Sequence, residues 1–204
     1  MDTGHRDTGR GTLDYVSICD AVQADAPFIA RIVLAGIDML GVEAELPAEQ
    51  QPIFNQLVDI CRMDDTLYSY RNTSIAEVEG QIVGALIGYD GGHYATMREK
   101  TFGIVAKQSG MNLSQNAMET GEGEFYLDSM AILPEFRGQE IGKQLMRDRM
   151  EWARKNGFAS VTLLVDKDKP RLRKYYESLG FGFREAMFVF GSWYDKLMHV
   201  ISKE

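Results

Sequence analysis

The sequence has little cysteine, little histidine and no excess of positive charge, and each shortage argues against a class of protein. Its two cysteines, Cys19 and Cys61, lie far apart among 204 residues, so we expect reduced thiols rather than a disulfide. The histidines, His5, His93 and His199, are too scattered to suggest a metal site. Lysine and arginine total 22 against 30 acidic residues, a formal charge of -8, which argues against a nucleic-acid partner or an anionic membrane.

Long apolar segments are also missing from the chain. The most apolar window, FIARIVLAGIDMLGV, is interrupted by Arg31 and Asp38 and is too short to span a bilayer. The first residues, MDTGHRDTGRG, are polar and lack the apolar core of a signal peptide. We therefore expect a cytoplasmic protein with no membrane partner, in which residues 1–11 form a disordered tail.

The composition, 45% hydrophobic and 25% charged, is ordinary for a globular protein, and we expect a single domain over residues 12–204. In the first half, periodicity and turn residues predict a strand at 13–19, helices at 20–37 and 47–63, and a hairpin of strands at 73–79 and 82–90. Residues 91–123 are polar and glycine-punctuated, with one helix near 93–107. We expect them to be an insertion that shapes a binding site.

The second half of the chain is more regular. The pattern predicts strands at 124–133, 160–165, 183–190 and 196–201, and helices at 140–156 and 170–179. A strand, a helix and a strand in succession form a crossover unit with parallel strands, whereas the hairpins on either side are antiparallel. The predicted fold class is therefore α/β, of the α+β type, with a mixed and mostly antiparallel sheet flanked by helices.

The turn at residues 134–145, PEFRGQEIGKQL, combines glycines with the start of a helix. Gly138 and Gly142 permit close approach of the backbone to a ligand, and a helix N-terminus favours an anion such as a pyrophosphate. Glycines at such turns are more often structural, so the turn alone does not identify a phosphate site. Glu140 adds a carboxylate to the turn. We expect it to point into water and to support the first turn of the helix.

Three segments together resemble the GNAT superfamily of acetyl-CoA-dependent N-acetyltransferases. MAILPEFRGQEIG resembles the family's acetyl-CoA motif, Gln/Arg-x-x-Gly-x-Gly/Ala, at Arg137 and Gly142, and departs from it at Glu140, where the family has glycine. YYESLGF resembles the family's tyrosine-bearing helix, and EVEGQIVGALIG is similar to its hairpin. The resemblance covers most of the chain and implies the GNAT acyl-CoA N-acyltransferase fold.

The resemblance also implies an acetyl-CoA site where the strands at 124–133 and 160–165 diverge. Its strand residues would be Met130, Ala131 and Ile132, with backbone groups that pair with the pantetheine arm. The remaining residues would hold the pyrophosphate through their backbone amides: Arg137, Gly138, Gln139, Glu140, Ile141, Gly142 and Lys143.

Two catalytic residues follow from the same resemblance. Tyr176 aligns with the family's tyrosine, which often protonates the departing CoA thiolate, although its helical spacing also fits a packed core position. Asp128 aligns with an acidic strand position and would accept the proton of the acceptor amine; a hydrogen-bonded structural acid is the alternative. Strand alternation predicts that Asp128 shares a face with Met130 and Ile132. Leu164 stands where some peptide acetyltransferases have a catalytic glutamate, which disfavours a peptide N-terminus as the acceptor.

We therefore predict an acyltransferase that moves the acetyl group of acetyl-CoA to a primary amine, by direct attack and without a metal. The expected acceptor is a small molecule, in a pocket lined by residues 53–70 and 91–123, and a homodimer is compatible with the sequence. Two alternatives stay open. One is an acyl-CoA-binding module without turnover, and the other is a binding module for a nucleotide or another phosphate.

Overall fold

The fold is built on one mixed sheet, seen in a computed structural model that describes residues 16–110, 113 and 115–202. Its strands are β1 (Val16–Asp20), β2 (Thr73–Val78), β3 (Gln81–Asp90), β4 (Glu124–Ile132), β5 (Ser160–Asp166), β6 (Gly182–Val189) and β7 (Ser192–Val200). They lie in the order β1-β2-β3-β4-β5-β7-β6, and all neighbours are antiparallel except β4 and β5. The predicted mixed, mostly antiparallel sheet is confirmed. The predicted tail at 1–11 lies outside the described residues.

Helices cover both faces of the sheet. They are α1 (Ala26–Gly36), α2 (Gln51–Arg62), α3 (Tyr94–Ser109), α4 (Ile141–Lys155) and α5 (Pro170–Ser178). One core lies under α1 and α2 and includes the fully buried Ile29 and Ile60. A second core lies under α4 on the opposite face and includes Ile141 and Leu145. Helices α1, α2 and α4 each bury an apolar stripe, and this periodicity made them recognisable in the sequence.

The hairpin of β6 and β7 is longer than the pattern predicted. β7 begins at Ser192, four positions before the predicted start, because the turn is confined to Phe190 and Gly191, whose φ angles are 49° and 82°. Consecutive left-handed residues form the tight turn that suits a two-residue hairpin. The first residues of β7 include polar side chains, so the apolar sequence pattern predicted only the second half of the strand.

Two expectations from composition can be compared with the described residues. Cys19 and Cys61 are free thiols, as predicted. No helix in the described part of the chain is long and apolar enough to cross a membrane.

The parallel strands β4 and β5 separate part of the way along their length. They pair only from Glu124 to Leu127 on β4 and from Ser160 to Leu163 on β5. Beyond these residues β4 continues beside β3 and β5 continues beside β7. The predicted divergence is therefore present, and it opens a cleft at the carboxyl ends of both strands.

A buried ion pair holds the closed end of this cleft together. The Nζ of Lys196 on β7 lies 2.8 and 3.1 Å from the two carboxylate oxygens of Glu124 on β4. Thr162, on the intervening strand β5, donates its hydroxyl to Glu124 at 3.1 Å. Burial opposes ionisation of Glu124, but hydrogen bonds from Lys196, Thr120 and Thr162 lower the pKa of its carboxyl below the usual value. Removing one partner would leave a buried charge, so the pair fixes the three strands where they meet.

Candidate active site

A cleft of about 830 Å³ lies where β4 and β5 diverge. The end of α1 and the following loop, the end of β4, the turn into α4 and the start of α5 form its walls. Every predicted acetyl-CoA residue except Gln139 lines it. Gln139 instead donates its side-chain amide to the carbonyl of Glu135 at 3.0 Å. The other residues that line the cleft are Ala35, Asp38, Leu40, Gly41, Val42, Phe136, Leu172 and Tyr175.

The free edge of β4 turns the backbone of two predicted residues toward the cleft. Leu133 donates its amide to Val83 on β3 at 2.8 Å. Successive strand residues point their polar backbone groups to opposite edges, so those of Ala131 also point to β3 and those of Met130 and Ile132 point to the cleft. The side chain of Arg137 donates Nε to the Ile132 carbonyl at 2.9 Å, which leaves one lone pair of this carbonyl for a ligand.

The turn between β4 and α4 exposes the start of the helix. Gly138 and Glu140 have left-handed φ angles of 77° and 62°, and α4 begins at Ile141 with no side-chain cap. The first amides of the helix are therefore free to bind an anion. Arg137 departs from the prediction, because its amide already donates to the Pro134 carbonyl at 3.1 Å and is not free for a pyrophosphate.

Gly142, in the first turn of α4, is not required by packing within the protein. A Cβ at this position would lie 3.5 Å from the Met130 methyl group and from the Tyr175 hydroxyl, which is ordinary contact. The absence of a side chain instead leaves the cleft open beside the helix N-terminus, where a ligand phosphate would approach.

Glu140 confirms one expectation and corrects another. Its side chain is 51% exposed and accepts a hydrogen bond from Lys143 Nζ at 3.0 Å, so it points into solvent as predicted. The expected support of the helix start is wrong, because Glu140 is the residue before the helix and is left-handed. This conformation costs a residue with a Cβ roughly 1–2 kcal/mol. It also explains why glycine suits this position in the family's motif.

A β-bulge in β4 contains Asp128. Ile87 on β3 pairs with Ser129, and the next residue, Gly88, pairs with Leu127. Asp128 is therefore the extra residue and has no partner on β3. The bulge interrupts the alternation of side chains along β4. The prediction from the sequence had treated this alternation as continuous.

The carboxylate of Asp128 is held on the side of the sheet that α1 and α2 cover. It accepts hydrogen bonds from the Tyr89 hydroxyl at 2.6 Å and from the Ser129 hydroxyl at 2.7 Å. Tyr89 belongs to the core under α1 and α2, whereas Met130 and Ile132 pack against the α4 core. The predicted shared face with Met130 and Ile132 is therefore wrong. Burial raises the pKa of Asp128, and the two hydroxyl donors offset this only in part.

Tyr176 and Asp128, which lie far apart in the sequence, line one small cavity of about 20 Å³. Met130 and Leu164 also line it. Burial raises the pKa of Tyr176 to about 12, so its phenol stays protonated at neutral pH and is able to donate a proton. The ring also packs against the α4 core, so the packing role and the catalytic role are compatible. The neighbouring Tyr175 lines the large cleft.

A second buried carboxylate near Asp128 was not found by sequence analysis. Glu119 accepts hydrogen bonds from the hydroxyls of Tyr94 at 2.8 Å and Tyr126 at 2.7 Å. Burial and then the charge of Asp128 raise its pKa. Glu119 lies in the polar segment before β4, which has no motif, so no signal in the sequence marked it.

The segments expected to line an acceptor pocket do not line the large cleft. They contribute instead to the surroundings of Asp128 and Glu119. Tyr68 lies close to both carboxylates, whose charges add to the effect of burial in raising its pKa. Tyr94 and Glu119 come from the 91–123 segment. Among the described residues, no group of three or more His, Cys, Asp or Glu side chains is placed to hold a metal ion.

Comparison with known proteins matches this site to one family. The model of the acetyltransferase (GNAT) family matches residues 42–181, which span α2 to α5 and include Asp128, the α4 turn and Tyr176. No curated protein matches the chain.

Solved structures with the same fold cover nearly the whole chain. A structure described as an acetyltransferase is 27% identical, with a TM-score of 0.71, over 91% of this chain and 100% of that chain. An N-acetyltransferase from Staphylococcus aureus Mu50 is 23% identical, with a TM-score of 0.73, over 89% and 99%. The ribosomal-protein-S18-alanine N-acetyltransferase from Escherichia coli is 14% identical, with a TM-score of 0.57, over 93% and 96%. The last two identities are low and establish a shared fold alone.

Glu140→Gly is expected to stabilise the protein by about 1 kcal/mol, because glycine adopts the left-handed conformation without the steric cost of a Cβ. The ion pair with Lys143, which the substitution removes, is exposed and contributes little to the free energy of unfolding. Equilibrium unfolding in urea measures the difference. Glu140→Ala is the matched control, since it removes the same carboxylate but keeps a Cβ and should bring no gain. Equal stabilities of the two variants would contradict the backbone strain.

Proposed function

Because the chain belongs to the acetyltransferase (GNAT) family, whose members move acyl groups from acyl-CoA, we propose that it acetylates a small primary amine by direct attack on acetyl-CoA. The observation that carries this proposal is that two cavities share Met130 as a lining residue. This residue lines both the large cleft beside the α4 turn and the small cavity that contains Asp128 and Tyr176. A thioester that extends along β4 from the turn would end between these two side chains.

The large cleft has the groups that acetyl-CoA requires. The free amides at the start of α4 and the partial positive charge of the helix N-terminus suit the pyrophosphate, and Lys143 adds a cation at the same rim. The backbone of Met130 and Ile132 on the open edge of β4 suits the amide groups of the pantetheine arm, which would pair with it as a strand does.

Asp128 is the proposed base. An ammonium acceptor gives one proton to its carboxylate, and the free lone pair of the nitrogen then forms a bond to the thioester carbonyl carbon. Burial raises the pKa of Asp128, which makes the ionised carboxylate a stronger proton acceptor than an exposed one.

Tyr176 is the proposed acid. When the tetrahedral intermediate collapses, the C–S bond breaks and the thiolate takes the phenolic proton. The second proton that leaves the nitrogen replaces the one given to sulfur, so the tyrosine is restored. The pKa of about 12 that burial gives Tyr176 keeps this proton available across the neutral range.

The charges around Asp128 support a cationic acceptor. Glu119 lies near Asp128. It adds negative charge beside the proposed base, and the whole chain carries -8, so an ammonium group is attracted and an anionic acceptor is repelled. Leu164, at the position of a glutamate in some peptide acetyltransferases, presents an apolar side chain to the small cavity and supplies no second base.

Calorimetry and turnover together test the proposal. Acetyl-CoA should bind in preference to ATP and NAD, and thiol release should appear with at least one member of a panel of small primary amines. Gly142→Asp should weaken acetyl-CoA binding by about 100-fold, because a carboxylate about 6 Å from the pyrophosphate costs about 3 kcal/mol at an effective dielectric of 20. Gly142→Ala is the control and should bind nearly as the parent does.

The outcomes of that test separate the alternatives. Binding of acetyl-CoA without thiol release for any amine would favour the acyl-CoA-binding module. Equal affinities for acetyl-CoA and ATP would favour the nucleotide-binding module and contradict the proposal.

Tyr176→Phe should lower kcat by about 100-fold, because it removes the proton donor and keeps the ring. The acetyl-CoA dissociation constant should change little, since the hydroxyl is not part of the proposed binding surface. Tyr175→Phe removes a neighbouring hydroxyl from the same helix and serves as the control. A kcat within twofold of the parent for Tyr176→Phe would assign Tyr176 to packing alone, and a large loss for Tyr175→Phe would transfer the acid role to Tyr175.

Asp128→Asn should change the pH dependence of the rate. Because the folded protein raises the pKa of Asp128, the rate of the parent should fall as pH drops through that raised pKa and the base takes up a proton. The variant has no base, so its rate should follow the loss of the amine proton and rise with pH. The ratio of the parent rate to the Asp128→Asn rate should therefore become smaller toward alkaline pH. Asp59→Asn, on the exposed surface of α2, is the control, and an unchanged profile for Asp128→Asn would exclude Asp128 as the base.

A further inference from the structure

Glu119 is tied to two buried tyrosines by short hydrogen bonds. Tyr94 and Tyr126 donate to its two carboxylate oxygens at 2.8 and 2.7 Å, and the two rings are 0% and 2% exposed. Within the described residues, no cation forms an ion pair with Glu119. Arg98 uses its Nη2 donor on the carbonyls of Leu113 and Asn116. The carboxylate is therefore oriented by the tyrosines.

The same tyrosines pack against the residue that orients Asp128. The Tyr89 ring lies 6.0 Å from Tyr94, nearly parallel at 12°, and 5.6 Å from Tyr126. The Tyr89 hydroxyl donates to Asp128 at 2.6 Å. A continuous path of contacts thus runs from Glu119 through either ring to Tyr89 and on to Asp128.

Asp128 depends on such support because it lies in the bulge. A residue without a partner on β3 has its backbone and side-chain direction less strictly set by the sheet. The two hydroxyl donors, from Tyr89 and Ser129, are the groups that hold its oxygens. A shift of Tyr89 would displace one of these two hydroxyl donors.

The two carboxylates also act on each other through their charges. Glu119 faces Asp128 and the tyrosines, with Arg98 as the nearby cation, and its pKa is raised by burial and then by the charge of Asp128. Tyr68 lies close to both carboxylates, and the charge of Glu119 also acts on Tyr194 of β7. Repulsion between like charges is mutual, so the removal of one charge makes the other carboxylate more acidic.

On the basis of the proposed function, in which Asp128 is the base, we propose that Glu119 is a positioning residue for Asp128. It acts through Tyr94, Tyr126 and Tyr89, and Asp128 alone accepts the proton of the acceptor amine. Glu119 itself does not contact the acceptor in this arrangement. Glu119 therefore takes part in the reaction only by way of Asp128.

The test measures the titration of Asp128 directly and does not require turnover. In Glu119→Gln, the carboxyl carbon of Asp128, followed by carbon-13 NMR, should titrate at lower pH than in the parent. The acid limb of kcat should move to lower pH in the same direction, and kcat at its plateau should fall by about tenfold from lost positioning. The acetyl-CoA dissociation constant should stay within about twofold of the parent. Glu122→Gln, which removes an exposed carboxylate from the same segment, is the control.

A double-mutant cycle tests whether Glu119 acts through Asp128. In the Asp128→Asn background, Glu119→Gln should lower kcat by less than about twofold, because the residue that it positions is gone. An equal loss in both backgrounds, or an Asp128 titration that does not move in Glu119→Gln, would overturn the inference. If the titration moves but no amine is acetylated by the parent, the proposed function fails and the coupling between the two carboxylates stands.

Discussion

The separation of β4 and β5 beyond Leu127 and Leu163 is the constraint on which the candidate site depends. An unpaired strand edge leaves backbone donors and acceptors without partners. Here the open edge faces the cleft, and the backbone groups of Met130 and Ile132 point into it. The buried pair of Lys196 and Glu124 holds the opposite end of the same strands, so the opening begins at a defined residue instead of spreading along the sheet.

Where β4 and β5 separate, side chains from the two faces of the sheet also come close to one another. Asp128 is held from the side of α1 and α2, through Tyr89, whereas Tyr176 packs against the α4 core. In an unbroken sheet these side chains would be separated by the backbone of the strands. The gap between β4 and β5 lets both side chains line one cavity. The carboxylate of Asp128, held from one face, is thereby brought near the phenol of Tyr176, held from the other.

Several local features of the site are unfavourable for stability taken alone. Glu140 has a left-handed backbone that glycine would adopt more easily, and Asp128 and Glu119 are buried carboxylates with raised pKa values. Hydroxyl donors from tyrosines offset part of the burial cost without neutralising the charge. Departures of this kind from the rules of a stable interior are expected at functional sites.

Much of the fold was predictable because it depends on local patterns. The apolar stripes of α1, α2 and α4 and the Pro170 start of α5 each act within a few residues. The hairpin of β2 and β3 was predicted for the same reason, although its turn lies at Glu79 and Gly80, one position before the predicted Gly80 and Gln81. The α4 turn was recognisable for the same reason, because a short stretch of chain determines its backbone and the direction of its free amides. The sequence also placed Tyr176 correctly on its helix.

The remaining features depend on contacts between distant segments. A bulge at Asp128 is a matter of register between β3 and β4, and no pattern within β4 signals it, so the face of the proposed base was predicted wrongly. The partnership of Glu119 with Asp128 requires Tyr94 from α3 and Tyr126 from β4 to meet. By itself the sequence therefore determined the elements, the family and the glycine-containing turn before α4. Only the tertiary structure decided which side chains surround Asp128 and Tyr176, because long-range packing and hydrogen bonds set those positions.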